Sequence, residues 1–248
     1  MANPVEQFQI NTLVPLEIAG WDVSFTNSAL WLAIAAVTSA LFLTISMRKK
    51  ALVPGRSQAF SEMAYEMVAN MIRENIGSAG RKYFPLIFTL FIVVLLGNVL
   101  GMLPYSFTYT SHIIVTAALA MMIFIMVILI GLYNHGFKFF NLFLPPGVPV
   151  WMLPFIIPIE ILSFIIRPVT LSVRLFANMV AGHIMLKVFA GFSAAMVSMG
   201  TIGIIGGLFP MAFNSLLIGF ELLIALLQAY VFTILSCIYL KDTVEIDH

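Results

Sequence analysis

Two apolar runs in the second half of the chain constrain it most. One extends from Val150 to Phe192 and the other from Leu208 to Leu240. As helices rising 1.5 Å per residue they would be about 60 and about 50 Å long, against a hydrocarbon core of about 30 Å. Either each run is broken or each crosses at a steep tilt. Pro154, Pro158 and Pro168 interrupt the first run, but a proline in a membrane helix need not end it. The expectation is two long, steeply tilted helices at 150–192 and 208–240, paired as a hairpin. The stretch "SMGTIGIIGGLFP", with Gly200, Gly203, Gly206 and Gly207, reads as the turn between them.

The rest of the chain fits the same solvent. Hydrophobic residues are 61% of it and charged residues 9%, where a soluble domain carries about 25% charge. Such a chain cannot clothe a water-facing surface, and in lipid the backbone must satisfy itself as helices. The fold class is therefore an all-α polytopic membrane protein in a lipid bilayer, one membrane domain over 1–248. Shorter spans are expected at 27–47, 83–103 and 113–133, making five membrane-crossing helices with the long pair.

Residues 57–76 differ. Phe60, Ala64, Met67 and Met71 recur at helical spacing, opposed by Glu62, Glu66, Arg73 and Glu74. This predicts an amphipathic helix at the membrane surface or against partner helices, capped by Ser57 and stopped by Gly77. Seven of the twelve basic residues lie between the first two spans: Arg48, Lys49, Lys50, Arg56, Arg73, Arg81 and Lys82. The positive-inside rule places that loop in the cytoplasm. Segment 1–26, with Glu6, Glu17 and Asp22 and no lysine or arginine, is then outside and the C-terminus inside. "NLFLPPGVPV" reads as a rigid link before the long pair. The start "MANPVEQFQI" lacks the basic and apolar regions of a signal peptide. Net charge is +1, which gives no case for nucleic acid. Cys237, the single cysteine, reads as a small packing residue.

Charged groups inside the long pair cost at least about 2.5–3.5 kcal/mol each at the bilayer centre and are functional candidates by default. Glu160, Ser163, Arg167, Thr170, Arg174 and Asn178 follow one another at steps of 3 or 4 residues, so they share one helix face. His183 stands nine residues past Arg174, which turns it to the opposite side. On the last helix Asn214, Glu221 and Gln228 are spaced seven apart and share a face. One antiparallel register levels Arg174 with Gln228 and also His183 with Glu221. Arg167, nearer the cytoplasm and with Glu160 on its face, reads either as a structural pair or snorkelling side chain or as part of the functional stripe. Asn178, Asn214 and Gln228 either line a path or are interhelical hydrogen-bond glue.

No nucleotide loop, metal-spaced cluster or nucleophile motif is present, so the chain is expected to be non-catalytic and to take no cofactor. Two classes remain on these grounds. One is a self-contained ion transporter or channel using the buried Arg/His/Glu stripe. The other is a fixed ion-path subunit working against a partner. Transporters commonly show paired halves with interrupted helices, and no such halves are visible.

The segment "RPVTLSVRLFANMVAGH" resembles the signature of the a subunit of F-type ATP synthases, with Arg174, Leu175, Phe176, Asn178, Ala181 and Gly182 on its pattern. "ELLIALLQAYVFTILSCIYL" is similar to that family's last helix, with Glu221 and Gln228 in place; "GNVLGMLPY" and the proline-rich link also resemble it. In some relatives the acid and the imidazole are exchanged between the two helices. The resemblance implies a stator subunit of the Fo sector, with no catalytic role, facing a ring of c subunits and b-type peripheral stalk subunits. Two offset proton half-channels would then flank Arg174. Glu221 and His183 would serve the outer one and Glu160 would border the cytoplasmic one. The implied site is the bacterial inner membrane, with the mitochondrial inner membrane as the alternative.

Overall fold

The structure is a computed structural model and describes residues 8–15, 17–18, 21–22, 24–48, 53–103, 106–144 and 149–244. Glu6, Lys49, Lys50 and residues 145–148 of the proline-rich link lie outside them. Four short strands precede the helices: β1 (Thr12–Val14), β2 (Glu17–Ile18), β3 (Trp21–Asp22) and β4 (Phe25–Thr26). β1 pairs antiparallel with β4 and β2 with β3; these short pairs precede the membrane helices, and the all-α polytopic class stands. This local pairing carries no apolar period long enough to read in advance. The helices are α1 (Asn27–Ser46), α2 (Arg56–Asn75), α3 (Phe84–Gly101), α4 (Ile113–His135), α5 (Leu153–Val197) and α6 (Thr201–Val244). Among the described residues, five helical segments are long and apolar enough to cross a membrane: the chain is a multi-pass membrane protein.

α5 starts three residues inside its expected bounds and ends five beyond them, and α6 overruns its own at both ends. α5 spans 45 residues unbroken. Pro154 sits in its first turn, where the missing N–H has no intrahelical acceptor in any case. Pro158 and Pro168 are accommodated inside it. α6 begins at Thr201, seven residues before the apolar run, so Gly203, Gly206 and Gly207 belong to a helix and not to the turn. The turn itself is Ser198–Gly200, with Gly200 at φ 92°, the left-handed region that glycine enters without cost. The α6 glycines serve close approach instead. A Cβ at Gly207 would stand 2.9 Å from Val197 Cγ2, and Ser193 Oγ donates to the Gly207 carbonyl at 2.9 Å. Small residues one turn apart let two membrane helices meet backbone to backbone.

The chain forms two compact units. The first comprises Met1–Ser39, Val93–His112 and Leu175–Ala229. Its core includes Val94, Leu95, Asn98, Tyr109, Leu175, Met179, Ala225 and Ala229, all buried. Asn27 ties the N-terminal strands to α1: its Oδ1 accepts from the amides of Asn11 and Ser28, and its Nδ2 donates to the Gln9 carbonyl.

The second unit comprises Ala40–Ile92, Ile113–Arg174 and Tyr230–His248. Here α2 packs on the chain's own helices. Ser46 and Ser61 hydroxyls share a hydrogen bond of 2.5 Å, and the Tyr65 ring meets Phe84 at 4.5 Å between centroids. Its buried face is Gln58, Ser61, Ala64, Val68, Met71 and Ile72, rotated from the predicted one, and Phe60 is exposed. Two serines and a glutamine can be buried there because hydrogen bonds offset their desolvation. The helix starts one residue before Ser57, from Gly55 as cap with no side-chain bond, so Ser57 is not the N-cap. Gly77, at φ 73°, stands just beyond its end.

Candidate ion-path site

α5 carries two unlike faces. Phe164, Pro168, Leu171, Ser172, Leu175, Met179 and His183 are buried and recur at helical spacing. Ser163, Thr170, Arg174 and Asn178 are exposed, while Glu160 and Arg167 are half-buried. The predicted stripe is thus an outward one, and His183 faces inward.

Arg167 leaves the stripe through its partners. Its Nη1 donates to Asp242 Oδ2 at 2.7 Å, and its guanidinium lies 5.5 Å from the Phe164 ring centre and 5.2 Å from that of Tyr239. The expected partner Glu160 is therefore displaced by Asp242, at the far end of α6. Glu160 lies seven residues back along α5, two turns or about 10 Å away. Asp242 sits opposite Arg167 in the antiparallel hairpin and needs no such reach. Glu160 has neither hydrogen bond nor ion pair among the described residues. The same is true of Arg174.

In the first unit the polar side chains of α5 and α6 meet. Asn178 Nδ2 donates to Gln228 Oε1 at 2.9 Å, so Gln228 takes a partner one turn past Arg174, a shift from the expected register. His183 and Glu221, both buried, pair through Nδ1 and Oε1, as the register predicted. Asn214, Glu221 and Gln228 also each hold one buried polar atom with no partner among the described residues: Oδ1, Oε2 and Nε2. Three such atoms at seven-residue spacing on one helix face form a polar line, and buried groups of this kind are ordinarily met by water.

Sequence reasoning missed the far side of His183. Its Nε2 lies 2.7 Å from Thr108 Oγ1, in the connection from α3 to α4, and 3.2 Å from the carbonyl of Gly101 at the end of α3. The Phe8 ring lies nearly parallel to the imidazole, 6.3 Å away. The signal was the pair Gly97 and Gly101 in "GNVLGMLPY", which marks a place where another part of the chain comes close to α3.

Arg174, on the outward face of α5, is a fixed cation with no ion pair among the described residues, and His183 with Glu221 forms an acid–imidazole pair able to hold and pass a proton. Arginine is charged at any accessible pH. Such a surface can hold an anionic partner group without consuming it, and can relay protons beside it.

The ATP synthase A chain family model matches residues 28–241. The chain is 54% identical to "ATP synthase subunit a" of Rhodospirillum rubrum over 245 residues, covering 99% of each. It is 52% identical to the protein of that name from Rhizobium etli over 243 residues, covering 98% of this chain and 97% of the relative. With that of Mesorhizobium japonicum it shares 51% over 246 residues, 99% of this chain and 98% of the relative. The chain belongs to the ATP synthase A chain family.

Proposed function

We propose that this member of the ATP synthase A chain family is the stator subunit against which a ring of c subunits turns, coupling proton flow across the membrane to ATP synthesis. The observation that carries the reading is the contrast on α5 between exposed Arg174, without an ion pair among the described residues, and the buried His183–Glu221 pair, nine residues on. A ring subunit with a membrane-buried carboxylate supplies the anion Arg174 lacks. The guanidinium favours the ionised carboxylate, so each ring site releases its proton before passing Arg174 and takes one up after.

Two half-channels follow from that requirement. Protons enter from the outer side along Asn214, Glu221 and His183, load the ring, travel round it, and leave on the cytoplasmic side past Glu160. Asn178 and Gln228, bonded to each other, hold the α5–α6 surface beside Arg174. Arg174 stands between the paths and blocks a direct leak. Each charge falling through about 100 mV releases about 2.3 kcal/mol, which the ring carries to catalytic subunits elsewhere. The chain itself is not catalytic. It sits in the bacterial inner membrane with its N-terminus outside and C-terminus in the cytoplasm, beside b-type stalk subunits.

The self-contained transporter is not favoured, because family relatives of nearly equal length are subunits of a complex. Purification of the tagged chain from native membranes separates the two readings. It should bring an oligomer of small helical-hairpin proteins and the stalk subunits. A chain that conducts protons alone in vesicles, with no such oligomer, would overturn the proposal.

A further inference from the structure

The connection after α3 is seated with unusual care. Gly97 and Gly101 lie one helical turn apart. A Cβ at Gly101 would stand 2.5 Å from both Thr108 Oγ1 and Cγ2, and one at Gly97 would strike the Tyr109 ring. The two glycines therefore form a notch that receives Thr108 and Tyr109. Tyr109 donates to the Val93 carbonyl at 2.8 Å, and burial keeps its hydroxyl protonated by pushing its pKa above the ordinary value. Ser111 Oγ donates to the Thr108 carbonyl at 2.5 Å. Thr108 is held from both sides, with its hydroxyl against His183.

Counting donors then assigns the proton. The Thr108 hydroxyl lies 2.9 Å from the Gly101 carbonyl, which can only accept, so the threonine hydrogen goes there. Thr108 Oγ1 is then an acceptor toward His183 Nε2, as is the Gly101 carbonyl, whose two lone pairs serve Thr108 and His183. Ser106 Oγ, also 2.9 Å from that carbonyl, has the Leu103 carbonyl at 2.7 Å instead. Were Nε2 unprotonated, its lone pair would face that of the Gly101 carbonyl, and the Thr108 hydrogen would have to leave the carbonyl to meet it.

We propose that Thr108 is a positioning residue of the ion path: with the Gly101 carbonyl it fixes His183 as the Nε2–H form, leaving Nδ1 as the one ring nitrogen that exchanges a proton with Glu221. The proposal rests on the reading of His183 and Glu221 as the outer half-channel. The proton passes between Glu221 Oε1 and His183 Nδ1, while the Nε2 proton stays in place. Without the Thr108 hydroxyl the ring can adopt the other tautomer, and the imidazolium loses an acceptor that favours it.

The charged and titratable groups around His183 are few. Glu221 faces it from α6. Lys187 stands one turn along α5, exposed. His112, stacked on Phe107 in the same connection, is held below the ordinary imidazole range by burial. Among the described residues, α3 offers only the Gly101 carbonyl and the N-terminal segment only Phe8.

The test is ATP-driven proton pumping by the complete complex in vesicles, measured against pH. Thr108→Val should slow pumping and move the alkaline limb of the profile to lower pH by roughly half to one unit, the worth of one hydrogen bond. Thr108→Ser, which restores the hydroxyl, should return the limb. Thr108→Ala makes the same test should the valine variant fail to assemble. Slower pumping with an unmoved limb in the valine or alanine variant would overturn the proposal, since a merely structural defect behaves that way. His183→Ala and Glu221→Gln separate this failure from that of the wider reading. If both pump normally, the half-channel assignment falls. If both are impaired while the Thr108 limb stays, only the tautomer assignment falls.

Discussion

Arg167 and Arg174 stand two turns apart on one helix and one face, yet they live differently. Arg167 has a carboxylate at 2.7 Å and two aromatic rings beside its guanidinium. Arg174 has no hydrogen bond or ion pair among the described residues. A membrane helix does not keep an unpaired arginine for stability, because the cost of desolvating it is unmatched. The same residue type thus does two jobs, and the local partners tell them apart. Arg167 fastens α5 to the end of α6. Arg174 is the cation that the proposed ring carboxylate would meet.

Substituting each arginine sharpens that contrast, and the largest effect is expected at Arg174. Arg174→Ala should bring ion-driven ATP synthesis to background while the complex still assembles, as checked by subunit recovery and by ATP hydrolysis. Arg174→Lys should fail as well. Lysine is a compact point charge that gives up its proton when buried, so it can neither stay a permanent cation nor block the leak. Near-normal synthesis with lysine would remove the distinction between the two arginines.

The next effect concerns the inward face of the same helix. Glu221→Gln or His183→Ala should slow proton uptake by up to about a hundredfold, the lower end of what a positioned proton-transfer group contributes. The exchanged protein, His183→Glu with Glu221→His, keeps one acid and one imidazole and should recover part of the rate. An exchanged protein no faster than either single substitution, with all variants assembled, would mean that the two groups do not work as a unit.

A subtler probe leaves both groups in place. A Cβ at Gly182 would stand 2.6 Å from Glu221 Oε1 and 3.0 Å from its Cδ. Gly182→Ala should therefore push the carboxylate off His183 and slow pumping less than Glu221→Gln, because the acid remains. Pumping at the wild-type rate would show that the pairing geometry is not limiting.

Much of this was legible in the sequence, for reasons that also explain what was not. The stripe was visible because charge in an apolar run is costly and helical spacing is regular. His183 and Glu221 were paired by register alone. Gln228 was assigned to Arg174 and bonds Asn178, one turn away; a register argument is no finer than one helical turn when side chains reach several ångströms. Helix-face spacing points Arg167 toward Glu160 and is blind to Asp242, which the hairpin brings closer. The helical start of α6 was hidden by glycines that read as a turn in water but as a packing surface in lipid. Thr108 gave no signal of its own, since only a folded connection brings a lone threonine to His183.

The smallest effect should come from the arginine that has its partners. Arg167 and Asp242 side chains are 27% and 31% exposed, and the contact is a single Nη1–Oδ2 bond rather than a two-pronged one. A pair of this kind couples by about 0.5–1 kcal/mol, with the ring contacts adding a comparable amount. Arg167→Lys can still place a cation near Asp242, so synthesis should stay near the wild-type rate. Arg167→Met and Asp242→Asn should each make the complex inactivate at a lower temperature, and the double variant should lose less than the sum of the two. That non-additivity measures the pair itself. Were Arg167→Lys to abolish synthesis with the complex intact, Arg167 would belong to the ion path. The difference between the two arginines would then be one of degree, with the charge that faces the ring shared along α5.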